Sequence, residues 1–167
     1  MRNVWLSLLL TASAVAQTQS APVTAACGAN KINFSAQEGN TTVAPVQPAV
    51  GKALVYFIQD EGQLSEGRHY TLKMGVDGAW VGAYRDNAVF TVSVDPGEHH
   101  ICAKVQSHFQ AGLDSAFAHF TAEAGKIYYF RTRLSEYGGH LEIDVPDSDQ
   151  AKYLISIYPA SLSQPKQ

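Results

Sequence analysis

Asp77-Gly78 is the feature that most narrows what this chain can fold into. It sits between two short runs of strand character. Tyr70, Leu72, Met74 and Val76 alternate with Thr71 and Lys73 before it, and Ala79 to Ala83, carrying Trp80, follows directly. Both central residues of a tight hairpin need positive φ, and Asp-Gly accepts that geometry at little steric cost. The same grammar repeats along the chain. Arg85-Asp86-Asn87 reads as a turn, Val89 to Val94 as a strand, and Asp95-Pro96-Gly97 as the next turn, with Pro presetting φ and Gly allowing the left-handed position. His100 to Val105 reads as a strand and Gln106 to Asp114 as a loop. Ala116 to Ala122 is a weak strand because of its Ala content. Ala124-Gly125-Lys126 turns into the clearest strand, Ile127 to Leu134. There Tyr128, Phe130, Thr132 and Leu134 face one way, and Ile127, Tyr129, Arg131 and Arg133 the other. Glu136 to Gly139 turns again, and Leu141, Ile143 and Val145 alternate with Glu142 and Asp144.

Two segments depart from alternation. Ala53-Leu54-Val55-Tyr56-Phe57-Ile58 is a continuous apolar run, as in a strand buried on both faces; a polar, Gly-containing loop from Asp60 to Arg68 follows it. Near the end, Asp147-Ser148-Asp149 is a helix N-cap cluster. Ala151, Leu154, Ile155 and Tyr158 then fall at i, i+3, i+4 and i+7, which predicts a short helix ended by Pro159; the β-branched Ile155 and Ile157 leave a strand open as the alternative. Short strands punctuated by turns predict a mostly β domain, an antiparallel β-sandwich of about seven or eight strands with a short C-terminal helix. No strand–helix alternation points to a parallel α/β sheet. The expected organisation is a signal peptide over 1–16, a polar arm or linker over 17–50, the β-sandwich domain over 51–158 and a polar tail over 159–167.

The N-terminus carries a targeting pattern. Met1-Arg2-Asn3 is a short basic start, Val4 to Ala14 is almost wholly apolar, and Ala14-Val15-Ala16 is a small-x-small tripeptide. That layout predicts a secretory signal peptide cleaved after Ala16, and an extracytoplasmic protein, periplasmic or secreted. The apolar run is too short for a transmembrane helix of roughly 20 residues, so no transmembrane segment is expected after cleavage. Ala25-Ala26-Cys27 has the small residues of a lipidation box but lies well past the apolar run. Residues 17 to 50 are polar and interrupted by Pro22, Pro45 and Pro48; Asn33-Phe34-Ser35 and Asn40-Thr41-Thr42 fit the glycosylation sequon. Export makes the two cysteines informative, because thiols outside the cytosol tend to pair. Cys27 and Cys102 allow one intramolecular bond, which would staple the arm to the sandwich; two free thiols or a bond between chains are the alternatives.

Chemistry is harder to find. The net charge of −3 and the lack of a basic stripe argue against nucleic acid as a partner. Glu98-His99-His100 suggests a metal site, but neighbouring strand residues point to opposite faces, and His108 and His119 have no close co-ligand in sequence. Asp114, Ser115 and His119 supply triad residue types without a nucleophile-elbow motif; Asp60, Glu61 and Glu66 could supply a carboxylate pair but also suit a solvated loop. No residue is therefore assigned as catalytic, cofactor-binding or metal-ligating, and no cofactor is expected. Trp80, Tyr84, Tyr129, Arg131 and Arg133 form a possible binding strip for a sugar, peptide or partner strand, against the alternative that they pack a second face of the sandwich.

Four segments in order carry a family resemblance: Gly51-Lys52-Ala53-Leu54-Val55-Tyr56, Gly75-Val76-Asp77-Gly78-Ala79-Trp80-Val81-Gly82, Pro96-Gly97-Glu98-His99-His100-Ile101-Cys102-Ala103 and Ala124-Gly125-Lys126-Ile127-Tyr128-Tyr129-Phe130-Arg131. From about residue 50 to about 158 the chain resembles the bacterial exported domain-of-unknown-function family 2846. The hairpin pieces also resemble PEGA modules, which are small β-sandwiches. The resemblance implies a β-rich extracytoplasmic bacterial domain, often lipid-anchored or periplasmic, with no established activity and no catalytic residues to carry over. Together these readings lead to an exported bacterial envelope protein, a non-catalytic binding or structural module whose partner is an unknown envelope protein or glycan. A His-based metal-binding periplasmic protein and an uncharacterised hydrolase are the alternatives.

Overall fold

The computed structural model describes residues 26–29, 31–61, 70–106, 115–134 and 140–166. Among the described residues ten strands form two sheets, and one helix accompanies them. In chain order the strands are β1 (Phe34–Thr42), β2 (Ala53–Gln59), β3 (Thr71–Val76), β4 (Ala79–Arg85), β5 (Val89–Val94), β6 (Gly97–Val105), β7 (Ser115–Ala122), β8 (Ile127–Leu134), β9 (Leu141–Asp144) and β10 (Pro159–Pro165), with helix α1 (Ser148–Ile157) before the last. A six-stranded sheet runs β1-β10-β5-β2-β8-β9 and a four-stranded sheet β4-β3-β6-β7. The domain is mostly β and sandwich-like, as the turn grammar predicts. The signal-peptide reading concerns residues 1–16, which lie outside the described residues, whereas the small-residue box Ala25-Ala26-Cys27 ends on a cysteine that is bonded to Cys102.

The hairpin turn is where it was expected. Asp77 and Gly78 have φ of 50° and 84°, and β3 pairs antiparallel with β4 across them. Gly97, with φ 138°, turns the chain from β5 into β6. Inward-facing side chains of both sheets form the main core: Val55, Phe57, Leu72, Met74, Tyr84, Ile101 and Phe130 are all buried there. A second apolar layer lies on the other side of β2, where Leu54, Tyr56, Ile58 and Val89 meet Ala151 and Leu154 of α1. β2 is thus covered on both faces, which is why its sequence is continuously apolar rather than alternating.

Four expectations are corrected. The sheets are not wholly antiparallel: β2 pairs in parallel with β8, from Leu54↔Ile127 to Gln59↔Thr132, and β10 meets β5 in parallel at Ala160↔Val89. Between β2 and β8 the chain runs through β3 and β4 of the other sheet, returns to β5 beside β2, and runs through β6 and β7, with no helix among the described residues, so no strand–helix alternation announces the parallel pairing. Among the described residues the strands number ten because parts of the polar arm and the polar tail are strands: β1 and β10 pair antiparallel from Phe34↔Pro165 to Thr42↔Pro159. Consequently the folded unit extends on both sides of the expected 51–158. Only Phe34 and Ala36 of β1 are buried, so its apolar pattern is too thin to read. Val145, expected to alternate inward, lies beyond β9 and is exposed.

The β1–β10 ribbon has a clear task. Strand β4 is an edge of the four-stranded sheet, and an edge exposes unpaired backbone groups. Ser161 Oγ donates to the Ala83 carbonyl at 2.8 Å, and the Ala83 N–H donates to Ser163 Oγ at 3.1 Å. Serine side chains of one sheet thereby satisfy the backbone of the other. The helix begins as its sequence predicts: the Asp147 carboxylate accepts from the N–H groups of Asp149 and Gln150, each at 3.0 Å.

Candidate functional site

The disulfide anchors the first of four polar constellations. Cys27 and Cys102 are bonded, with Cα atoms 5.1 Å apart, and Cys102 lies opposite Gly75 on the outer face of the four-stranded sheet. Glycine is required here by contact: a Cβ on Gly75 would come within 2.8 Å of the Ala26 carbonyl oxygen. The arm then follows this face. Trp80 Nε1–H donates to the Ala29 carbonyl at 2.8 Å, and Lys73 Nζ donates to the Ile32 carbonyl at 2.7 Å while lying 4.3 Å from the Trp80 ring centroid. Burial and the nearby Lys104 lower the Lys73 pKa. Gln106 completes the track, its side-chain amide both accepting from the Phe34 N–H and donating to the Phe34 carbonyl, as a partner strand would. Trp80 is therefore a dock for the arm.

Tyr84 corrects the binding strip. Far from facing outward, it is fully buried, because the register shift in the β3–β4 pairing turns it away from the face that Trp80 occupies and into the main core. Its hydroxyl lies 2.7 Å from Thr132 Oγ1 and 3.2 Å from Met74 Sδ, and burial pushes the phenol pKa well upward. Tyr84→Phe is expected to cost about 1 kcal/mol, the worth of one net hydrogen bond. Urea unfolding of the two proteins measures it; no shift in midpoint would contradict a bond between the two strands.

Tyr129, Arg131 and Arg133 do share one face of β8, the face toward α1, so they do not join Trp80. Tyr129 packs on Tyr56, with centroids 5.6 Å apart. Arg131 is buried, with Nε donating to Asp144 Oδ1 at 2.9 Å and one Nη to Asp144 Oδ2 at 2.7 Å; its other Nη lies 3.4 Å from Asp60 Oδ2. Arg133 reaches the same Asp144 oxygen at 2.9 Å, and Tyr158 donates to Asp60 Oδ1 at 2.7 Å. Burial works against the charged form of Asp144, but its bonds to Arg131 outweigh that and hold its pKa below the usual carboxylate value. The group is a charge-balanced clamp of two arginines and two aspartates joining β2, β8, β9 and the end of α1. Of the five strip residues, Arg133 keeps the most exposed charge.

The other candidates separate. His99 points inward and His100 outward, where His100 pairs across the sheet with His119. His99 Nδ1 is 2.6 Å from Asp77 Oδ2 and Nε2 is 2.7 Å from the Asp95 carbonyl. His108, Asp114 and Glu66 lie outside the described residues, and among the described residues no group of three or more His, Cys, Asp or Glu could hold a metal ion. Ser115 and His119 stand four residues apart on β7, roughly 13 Å along a strand, too far for a nucleophile and its base. Asp60 and Glu61 diverge: Asp60 joins the arginine clamp, while the buried Glu61 accepts from Gln59 Nε2 and donates its N–H to Asn87 Oδ1. The inward polar group of Gln59, Glu61, Tyr84 and Thr132 was missed from sequence. The parity of β2 was the available signal, since 53, 55, 57, 59 and 61 share one face.

The fold and these constellations define a disulfide-stapled, two-sheet β domain with polar clamps between its strands. The family model described as "Protein of unknown function (DUF2846)" matches residues 49–143, more than half of the chain, and the protein belongs to that family. The match runs from just before β2 into β9, while β1, α1 and β10 lie outside it. No curated protein matches. An NMR structure of a protein from Eubacterium rectale is similar over 59% of this chain and 92% of its own, at 14% identity and a TM-score of 0.37.

Proposed function

We propose that this chain is an exported module of the bacterial envelope, extracytoplasmic after removal of residues 1–16, that binds or scaffolds an envelope protein or glycan and performs no catalysis of its own. The observation that carries the reading is the Cys27–Cys102 disulfide, because such bonds form and persist in oxidising compartments. The apolar segment after Met1-Arg2-Asn3 agrees with it. A structural or binding role also suits polar side chains engaged with one another: both ring nitrogens of His99 and the guanidinium of Arg131 tie separate elements together. Among the described residues no helix is long and apolar enough to cross a membrane.

Two measurements test the reading. Residues 1–26 fused to a reporter enzyme that is active only outside the cytosol should give reporter activity in a bacterial host; a fusion held inactive in the cytosol would remove the export claim. Immobilised residues 17–167 should retain a defined protein or glycan from envelope extracts. Turnover of a substrate with no retained partner would replace the module with an enzyme.

A further inference from the structure

We propose that His99, with Asp77 and Asp95, is a proton-dependent latch that holds the β3–β4 and β5–β6 turns together and is closed in its protonated form. The argument begins with donors and acceptors. A neutral imidazole has one N–H and one lone pair, and only the imidazolium donates from both nitrogens. His99 has an acceptor at each end, the Asp77 carboxylate and the Asp95 carbonyl, and neither of those atoms can donate. Both bonds therefore require the charged ring. A neutral ring keeps one of them and turns a lone pair toward the other oxygen.

The surroundings favour the charge. From the β3–β4 turn, Asp77 faces the ring and its second oxygen accepts the His100 N–H at 2.9 Å. From the β5–β6 turn comes Asp95, itself 2.6 Å from Lys52 Nζ. On β6 the flanking groups are Glu98 and His100, 3.8 Å from each other, with His100 on the outer face. β7 contributes the Phe120 ring, 5.5 Å between centroids, and β8 places Tyr128 against Phe120 at 4.9 Å. His119 is on the outer face with His100. Burial opposes ionisation of His99, but the Asp77 and Asp95 hydrogen bonds and the two carboxylate charges prevail, so its pKa stands above the ordinary imidazole value of 6.5.

The latch reaches past its own two turns. Gly78, beside Asp77, donates its N–H to the Ala26 carbonyl at 3.2 Å, one residue from the disulfide. On deprotonation the carboxylate of Asp77 is the stronger acceptor and keeps the remaining N–H, so the bond to Asp95 is the one lost. Because the folded pKa is raised, the stabilisation is complete below the unfolded imidazole pKa and disappears as pH rises through the folded value.

NMR titration of the His99 ring and the turn amides tests this. In slightly acid solution both ring nitrogens should carry protons. The midpoint should lie above that of the same ring in the urea-unfolded chain, and the Gly97 amide should shift with it. Asp77→Asn, which retains a residue tolerant of positive φ, should lower the midpoint. A single neutral tautomer in slightly acid solution, a midpoint unmoved by Asp77→Asn, or a Gly97 amide that ignores the ring's titration would each overturn the latch.

Discussion

Replacing Cys27 and Cys102 together by Ser is expected to lower stability by up to about 4 kcal/mol, the entropy of closing a loop of this size in the unfolded chain. The two residues are 75 apart in sequence. The effect should also have a local signature. Trp80 is the one tryptophan outside the apolar N-terminal segment, where Trp5 lies. It donates to Ala29 and lies against the arm, and a Cβ on Gly28 would fall 2.4 Å from its ring, so the arm fits closely over the indole. Releasing the arm should shift Trp80 fluorescence at denaturant concentrations below the main unfolding transition. Urea titrations of residues 17–167, oxidised and in the double variant, measure both effects. Coincident curves would show that the disulfide decorates a fold that stands without it.

Arg131→Met should be nearly as damaging, at about 3 kcal/mol. Removing one partner of a buried pair leaves the others without compensation, whereas an apolar replacement preserves the packing of the stem. Asp60, with only 15% of its side chain exposed, and Asp144 both lose their main cation. Asp144 is 37% exposed, so water recovers part of the loss, and the figure belongs at the lower end of the range for buried pairs. The loss has a defined pH dependence. The folded pKa of Asp144 is depressed, so its contribution is present above the ordinary carboxylate value and fades as pH falls through the folded one. The gap between wild type and variant should narrow in acid. Thermal unfolding across pH measures it, and a gap independent of pH would remove the clamp from the explanation. The same variant separates a binding role from a structural one: partner retention lost while stability is unchanged would return Arg131 to the binding strip.

The hairpins, the buried central strand and the helix were legible because each has a local cause. Asp77-Gly78 sets a turn, the run from Ala53 to Ile58 fills a strand covered on both sides, and Asp147 caps α1. β8 was legible down to its two faces: Phe130 enters the main core, while Ile127 and Tyr129 pack toward α1. What was illegible depends on partners far along the chain. β1 and β10 are polar because each is an outer or ribbon strand with little to bury, and their pairing spans more than a hundred residues. Tyr84 was misplaced because inward and outward positions on β4 are separated by a register shift between Met74 and Gly75 on its partner β3, and alternation counted along the sequence cannot see it. Arg131 looked outward because charged residues usually are; Asp60 and Asp144, distant in sequence, make its burial tolerable. The His99 contacts were hidden for the same reason, since its acceptors come from two different turns.

The claim that joins fold to function is that this domain is exported and matures with its arm stapled down. Intact-mass measurement of the unreduced protein, recovered from the extracytoplasmic fraction of expressing bacteria, tests that claim most directly. The account predicts a chain beginning at Gln17 that resists thiol alkylation until it is reduced and then takes up two labels, one at Cys27 and one at Cys102. A chain that retains residues 1–16 in the cytosol, or one that alkylates at both cysteines without reduction, would contradict it.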